Sequence, residues 1–263
     1  MSNQASSDQI SFAGEDGIAF VTLDHGGKYN AMSRRMWRQL CEIFTRIQAG
    51  TEWRCVLVRG LGGHFCAGGD ISEYPAFRFD PAGLRAFHED DVWGGLGAML
   101  ACDVPIIAAI EGNCMGAGVE IASCCDIRLA ARSARFGAPI ARLGFPMAPR
   151  EAQLVARVTG EATAREMLLE AAVLDAEEMK ARGFLQAVLD ESELAPQAMV
   201  RARRVASLAP EAARLNKQTL RALGSEGQPS IEKLLPWAYA YADSAEHREG
   251  ISAFLGKRAP RFL

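Results

Sequence analysis

The sequence predicts an α/β core followed by a helical C-terminal part, and three observations carry that expectation. Short, wholly apolar runs such as Cys55–Val58 and Ile106–Ile110 read as buried strands. Each is followed by a glycine-rich turn, at Phe65–Asp70 and Met115–Glu120. From about residue 149 onward the pattern is mostly helical.

The elements follow in order. Ile10–Ala13 and Ile18–Leu23 are strand-like, and Asp16-Gly17 between them is a hairpin signal. His25–Asn30 is turn-rich. Ser33 can N-cap a helix whose buried face is Met36, Trp37, Leu40, Phe44 and Ile47. Residues 83–101 predict another helix, and Pro105 opens the second buried strand. Val119–Cys125 is helix-compatible; Ile127–Ala130 and Ala134–Gly137 read as a third and a fourth strand. Asp175 with Glu178 forms a capping box, for a helix that Gly183 ends. Helical patterns return at 192–208, 211–223, 231–242 and 245–256, with Pro210 at a helix start and Pro236 kinking its helix. No sequence repeat or low-complexity tract interrupts them. The expected division is a core over 1–190 and a helical region over 191–263.

Composition narrows the function. With 263 residues, 49% hydrophobic and 23% charged, the chain can bury a sizeable core. A net charge of −3 argues against a broad nucleic-acid surface. Seven cysteines without a CxxC pair read as reduced thiols of a cytosolic protein. Met1–Gln9 is polar, and no run approaches ~20 apolar residues, so neither a signal segment nor a membrane helix is expected. The four histidines, at 25, 64, 88 and 247, have no metal-ligand spacing, and no metal is expected. The expectation is a soluble, cytoplasmic protein.

The two glycine-rich turns carry the chemistry. Small residues let a backbone approach a ligand closely. The first N–H groups of a helix lack intrahelical partners and favour negative charge. Two such turns brought together can aim two N–H groups at one oxygen. That suits a thioester carbonyl, whose oxygen gains charge when a Cα proton leaves or a nucleophile adds at Cβ; one such donor is typically worth about 3–4 kcal/mol. Glycine-rich turns also serve only to shape α/β chains. GxGxxG, GxxxxGK[ST] and GxSxG are absent, which disfavours dinucleotide, P-loop and nucleophile-elbow readings.

At these turns the chain resembles the crotonase (enoyl-CoA hydratase/isomerase) superfamily. Phe65-Cys66-Ala67-Gly68-Gly69-Asp70-Ile71 resembles F-x-A-G-x-D-[IL], and Ile110–Glu120 resembles the glycine-rich bend leading to a carboxylate. Asn30-Ala31-Met32, Cys125-Asp126-Ile127-Arg128 and Phe136-Gly137-Ala138-Pro139 match further elements. So do Leu143-Gly144-Phe145-Pro146, with its proline one place early, and Glu249-Gly250 with Phe254–Arg258. The resemblance runs almost end to end. It implies stacked β-β-α units, a helical trimerisation region, a homotrimer or dimer of trimers, and acyl-CoA thioesters as substrates. No cofactor is implied beyond the coenzyme A of the substrate.

Carried over by position, the oxyanion amides are those of Gly69 and Ala117, the latter standing where glycine is usual. Glu120 matches the first catalytic glutamate of the hydratases. Ala67, Gly68, Asp70, Ile71 and Ile140 fall on the substrate side, although Asp70 by itself reads as a cap or brace. Lys28 and Lys257 are candidates for coenzyme A phosphates, and equally credible as solvated surface charges. Ile140 occupies the place of the second hydratase glutamate and cannot move a proton. That departure leaves hydration, one-base isomerisation, decarboxylation, hydrolysis and non-catalytic acyl-CoA binding open. Glu151 lies near in sequence; Glu73 and Glu111 read as surface or structural. Cys66 reads as a buried thiol, because no base partner is evident.

Overall fold

The structure is a computed structural model that describes residues 8–224 and 231–262, so most of Met1–Gln9 lies outside it. Among the described residues nine strands form two sheets. The larger has β1 (Asp8–Glu15), β2 (Ile18–His25), β3 (Cys55–Gly60), β4 (Ile106–Ile110), β6 (Ile127–Ala131) and β9 (Ala187–Leu189), in that spatial order. The smaller has β5 (Asn113–Met115), β7 (Arg135–Gly137) and β8 (Val173–Asp175). The β1–β2 hairpin turns at Asp16 and Gly17, with φ of 50° and 76°. Two left-handed residues are what so tight a turn requires. From β2 onward the large sheet is parallel.

Both faces of that sheet are covered, which is why its strands read as unbroken apolar runs. Alternate residues point to opposite sides. Val56, Val58, Ile106, Ala108 and Ile110 join the main core with α1 (Arg34–Ala49), whose buried face is the expected Met36, Trp37, Leu40, Phe44 and Ile47. Cys55, Leu57, Ile107 and Ala109 face α8 (Glu191–Ala206). That helix presents Leu194, Ala198, Ala202 and Ala206, four apart, as a stripe of mostly small residues.

The helix expected over 83–101 is divided. It consists of α2 (Pro81–Ala86), a π-helical turn at Phe87–Val92, and α3 (Trp93–Ala101). The wide turn carries Asp91 into the interior, where Arg34 and Arg38 meet its carboxylate at 2.6 and 2.7 Å. A buried carboxylate needs such partners. Beyond α4 (Ala117–Ser123) lie α5 (Pro149–Thr159), α6 (Glu161–Leu169) and α7 (Ala176–Ala181). The Asp175–Glu178 capping box is present. After α8 come α9 (Pro210–Gly224) and α10 (Ala245–Leu255). The helix expected over 231–242 is instead broken into short turns, with 3₁₀ segments at Leu235–Trp237 and Ala240–Asp243. Pro236 lacks the N–H that a continuous helix would use.

Three successive units repeat one path: a strand of the large sheet, a short extended segment at the small sheet, then a helical turn. β3 leads to residues 65–70, β4 to β5 and α4, and β6 to β7 and the 3₁₀ turn Pro139–Leu143. The first two units are stitched together by a bridge between Cys66 and Cys114. Gly118 tightens that seam, because a Cβ there would lie 2.6 Å from the Cys66 carbonyl oxygen. Gly118→Ala is therefore expected to lower the unfolding free energy by about 1–3 kcal/mol, read from urea denaturation. An unchanged midpoint would mean the seam is loose.

Candidate active site

The first turn is held in place by its neighbours. Met32 donates its N–H to the Gly68 carbonyl and accepts from the Asp70 N–H, each at 2.8 Å. In such a parallel bridge the residue between, Gly69, directs its own N–H away from Met32. Asn30 braces the chain before this turn. Its side-chain amide donates to the Leu61 and His64 carbonyls at 2.8 and 2.7 Å, and its oxygen accepts from the His25 N–H.

The second turn changes direction at Gly116, where φ is 46° and ψ −108°. Only glycine takes this conformation without strain. Gly116 donates to the Gly137 carbonyl, whereas Ala117 opens α4 and its N–H has no acceptor among the described residues. Gly69 is likewise without one. Ala117 has no positive φ, so its Cβ is accommodated at this turn.

Both turns border one cavity of about 260 Å³. It gathers Ala67, Gly68, Gly69, Ile71, Ala117, Glu120 and Ile140 from the residues the sequence singles out. Aromatic and aliphatic side chains complete it, among them Trp37, Tyr74, Phe87, Phe145 and Leu143. Arg78 also lines it, stacked 3.7 Å above the Phe145 ring. Asp70, Lys28 and Lys257 stand apart from this wall. Asp70 caps the following 3₁₀ turn through the Ser72 N–H and binds Lys28 at 2.7 Å. Burial alone would raise its carboxyl, but hydrogen bonds from Lys28 and Ser72 outweigh that and hold it below its usual value. Lys257 lies in the exposed C-terminal tail beside the Arg258–Glu249 ion pair. Trp93 packs against the core with the Arg150 guanidinium over its ring.

Glu120 is the buried carboxyl of the cavity, 9% exposed. It receives no hydrogen bond from a described side chain or backbone N–H. Burial, with a smaller contribution from nearby Glu151, pushes it up to about 8. Cys66 is fully buried, and burial pushes its thiol up to about 12, so it holds its proton and is no nucleophile at neutral pH.

The sequence reading passes over His88. The π-helical turn places it on the cavity wall, and its Nδ1 lies 3.0 Å from Oε1 of Glu151, which is buried on the first turn of α5. Sixty-three residues separate the pair, and neither local spacing nor periodicity links them. The available signal is chemical: a titratable ring in an apolar stretch and a carboxyl in the first turn of a helix that packs inward. Glu73, by contrast, is structural and accepts from the Arg34 N–H at 2.8 Å.

The two sheets and their strand–strand–helix units define a protein of crotonase architecture. The enoyl-CoA hydratase/isomerase family pattern matches residues 13–263, and the chain belongs to that family. It is 30% identical over 249 residues to the probable enoyl-CoA hydratase echA8 of Mycobacterium bovis, covering 93% of this chain and 94% of that one. It is 32% identical to the 1,2-epoxyphenylacetyl-CoA isomerase of Escherichia coli, over 94% and 95% of the two chains. The crystal structure of an enoyl-CoA hydratase/carnithine racemase from Magnetospirillum magneticum superposes with a TM-score of 0.91 at 35% identity, over 98% and 96% of the chains. No group of histidine, cysteine or carboxylate side chains suited to a metal occurs among the described residues, and no helix there is long and apolar enough to cross a membrane.

The raised Glu120 carboxyl has a consequence for stability. Its folded value lies above its unfolded value of 4.5, so its contribution is fully present below about 4.5 and is lost as pH rises through about 8. Glu120→Gln removes that loss. The melting temperature of the variant should exceed that of the wild type by a margin that grows from pH 5 to pH 9, reaching at least ~2 °C. A constant margin across that range would contradict the buried, protonated state.

Proposed function

We propose that this chain is an acyl-CoA enzyme that stabilises a thioester enolate and uses it for enoyl-CoA chemistry. One observation carries the reading: the amides of Gly69 and Ala117, both without acceptors in the described chain, lie on the wall that also holds Glu120. A thioester oxygen between them would gain charge in the transition state, where preorganised donors count most. Glu120 sits one helical turn beyond Gly116 and serves the Cα proton. Held at about 8, it can give a proton at neutral pH and take one when ionised. The apolar lining suits an acyl chain.

Ile140, on the same wall, favours a second reading, in which Glu120 alone moves a proton from Cα to Cγ and shifts the double bond. Hydration, isomerisation and decarboxylation share the enolate and differ in what surrounds Cβ and Cγ. The reading extends to assembly as a homotrimer or dimer of trimers. Leu220, Leu223, Trp237, Phe254 and Leu255 are exposed in the C-terminal region, which supports burial of this region against further copies.

The test of the oxyanion site is Ala117→Pro. Proline is tolerated at the first position of a helix, where it removes an N–H that the helix does not use and sets its ring Cδ in that place. Turnover of 2-enoyl-, 3-enoyl- or malonyl-type CoA esters should fall by at least about 10²–10³-fold. Glu120→Gln should reduce the same turnover by about 10²–10⁴-fold. Full activity in either variant would refute the role given to that residue.

A further inference from the structure

We infer that His88, oriented by Glu151, is a second proton-transfer group of this cavity and activates the water that adds to an enoyl thioester. The inference rests on the enolate reading above and supplies what Ile140 lacks. His88 and Glu120 line one cavity, whereas Glu151 lies behind the ring, only 2% exposed. In the inferred arrangement Glu151 Oε1 accepts from Nδ1 across their 3.0 Å contact. The other nitrogen, Nε2, is then the basic one. Phe87 holds the ring edge-on, with centroids 5.1 Å apart. The carboxylate is enclosed and the imidazole side chain stays 21% exposed, so the ring is the partner that can meet a substrate. A nucleophile–base–orienter arrangement has this form, with water as the nucleophile.

The two groups divide the work. The water oxygen bonds to Cβ while its proton passes to Nε2 of His88. The π pair of the Cα=Cβ bond moves toward the thioester oxygen, where the Gly69 and Ala117 amides meet it. Cα then takes the proton of Glu120, and the thioester carbonyl re-forms. One water is consumed and no electrons are exchanged with a cofactor. Transfer of a proton from His88 to Glu120 through solvent restores the starting state. Because Glu120 supplies the Cα proton in this sequence, the acceptor of the water proton is a separate group on the same wall, His88.

The full-length wild type, His88→Ala and Glu151→Gln are compared in two assays. One is hydration of 2-enoyl-CoA esters of several chain lengths. The other is exchange of the Cα protons of a saturated acyl-CoA into D₂O, which needs only Glu120 and the two amides. His88→Ala should lose at least ~100-fold in hydration, keep exchange within about threefold, and recover part of its hydration when imidazole is added. Glu151→Gln should lower kcat with little change in KM. Undiminished hydration by His88→Ala, or a wild type that exchanges Cα protons but hydrates none of the esters, would overturn the role of His88. A wild type that neither exchanges nor hydrates would overturn the enolate reading beneath it.

Discussion

The site depends on how the chain from Cys66 to Asp70 is gripped on both sides. Met32 bonds to the peptide groups flanking Gly69, and the Cys66–Cys114 bridge ties the same segment to the second turn. Once its neighbours are engaged, the Gly69 amide faces the cavity. Gly116 reverses the second chain at a backbone conformation closed to other residues, so that Ala117 begins α4 beside the first turn. Neither amide is spent on a helix or sheet ladder. Two unpaired donors beside an apolar cavity are costly unless a ligand or water satisfies them. In the proposed function, a thioester oxygen removes that cost.

Electrostatics follows the same logic of enclosure. Carboxyls of three kinds lie within or behind this region, and their neighbours separate their roles. Asp91 meets two arginines and anchors the π-helical turn to α1. Asp70 has Lys28 and Ser72, and braces its turn. Glu120 has no cation, so burial dominates and favours its neutral form. Such a group destabilises the fold as pH rises, a penalty consistent with a functional position. The π-helical turn that Asp91 anchors also carries His88, so a structural ion pair and a cavity residue share one irregular segment.

Much of this was legible in the sequence because it depends on local signals. The α1 face, the hairpin at Asp16-Gly17 and the Asp175–Glu178 capping box each follow from neighbouring residues, and the glycine-rich turns marked Gly69, Ala117 and Glu120. The repeated strand–strand–helix path leaves no sequence repeat, because its units share geometry but not side chains, and it was reached through the family resemblance. Three features were not legible. The short strands β5, β8 and β9 are three residues each and owe their form to partners distant in sequence. The break at residues 87–92 depends on Arg34 and Arg38 reaching Asp91, and the His88–Glu151 contact spans two helical segments. Helical spacing alone makes 83–101 a single helix and conceals the histidine.

Donation from the two amides is read most directly from the thioester itself. An acyl-CoA carrying ¹³C at the thioester carbonyl can be followed by infrared difference spectroscopy as it binds. Donation by the Gly69 and Ala117 amides should move the carbonyl stretch to lower frequency in the wild type, and removal of the Ala117 N–H should reverse most of that displacement. A bound carbonyl that vibrates as it does in water would show that these turns do not polarise it.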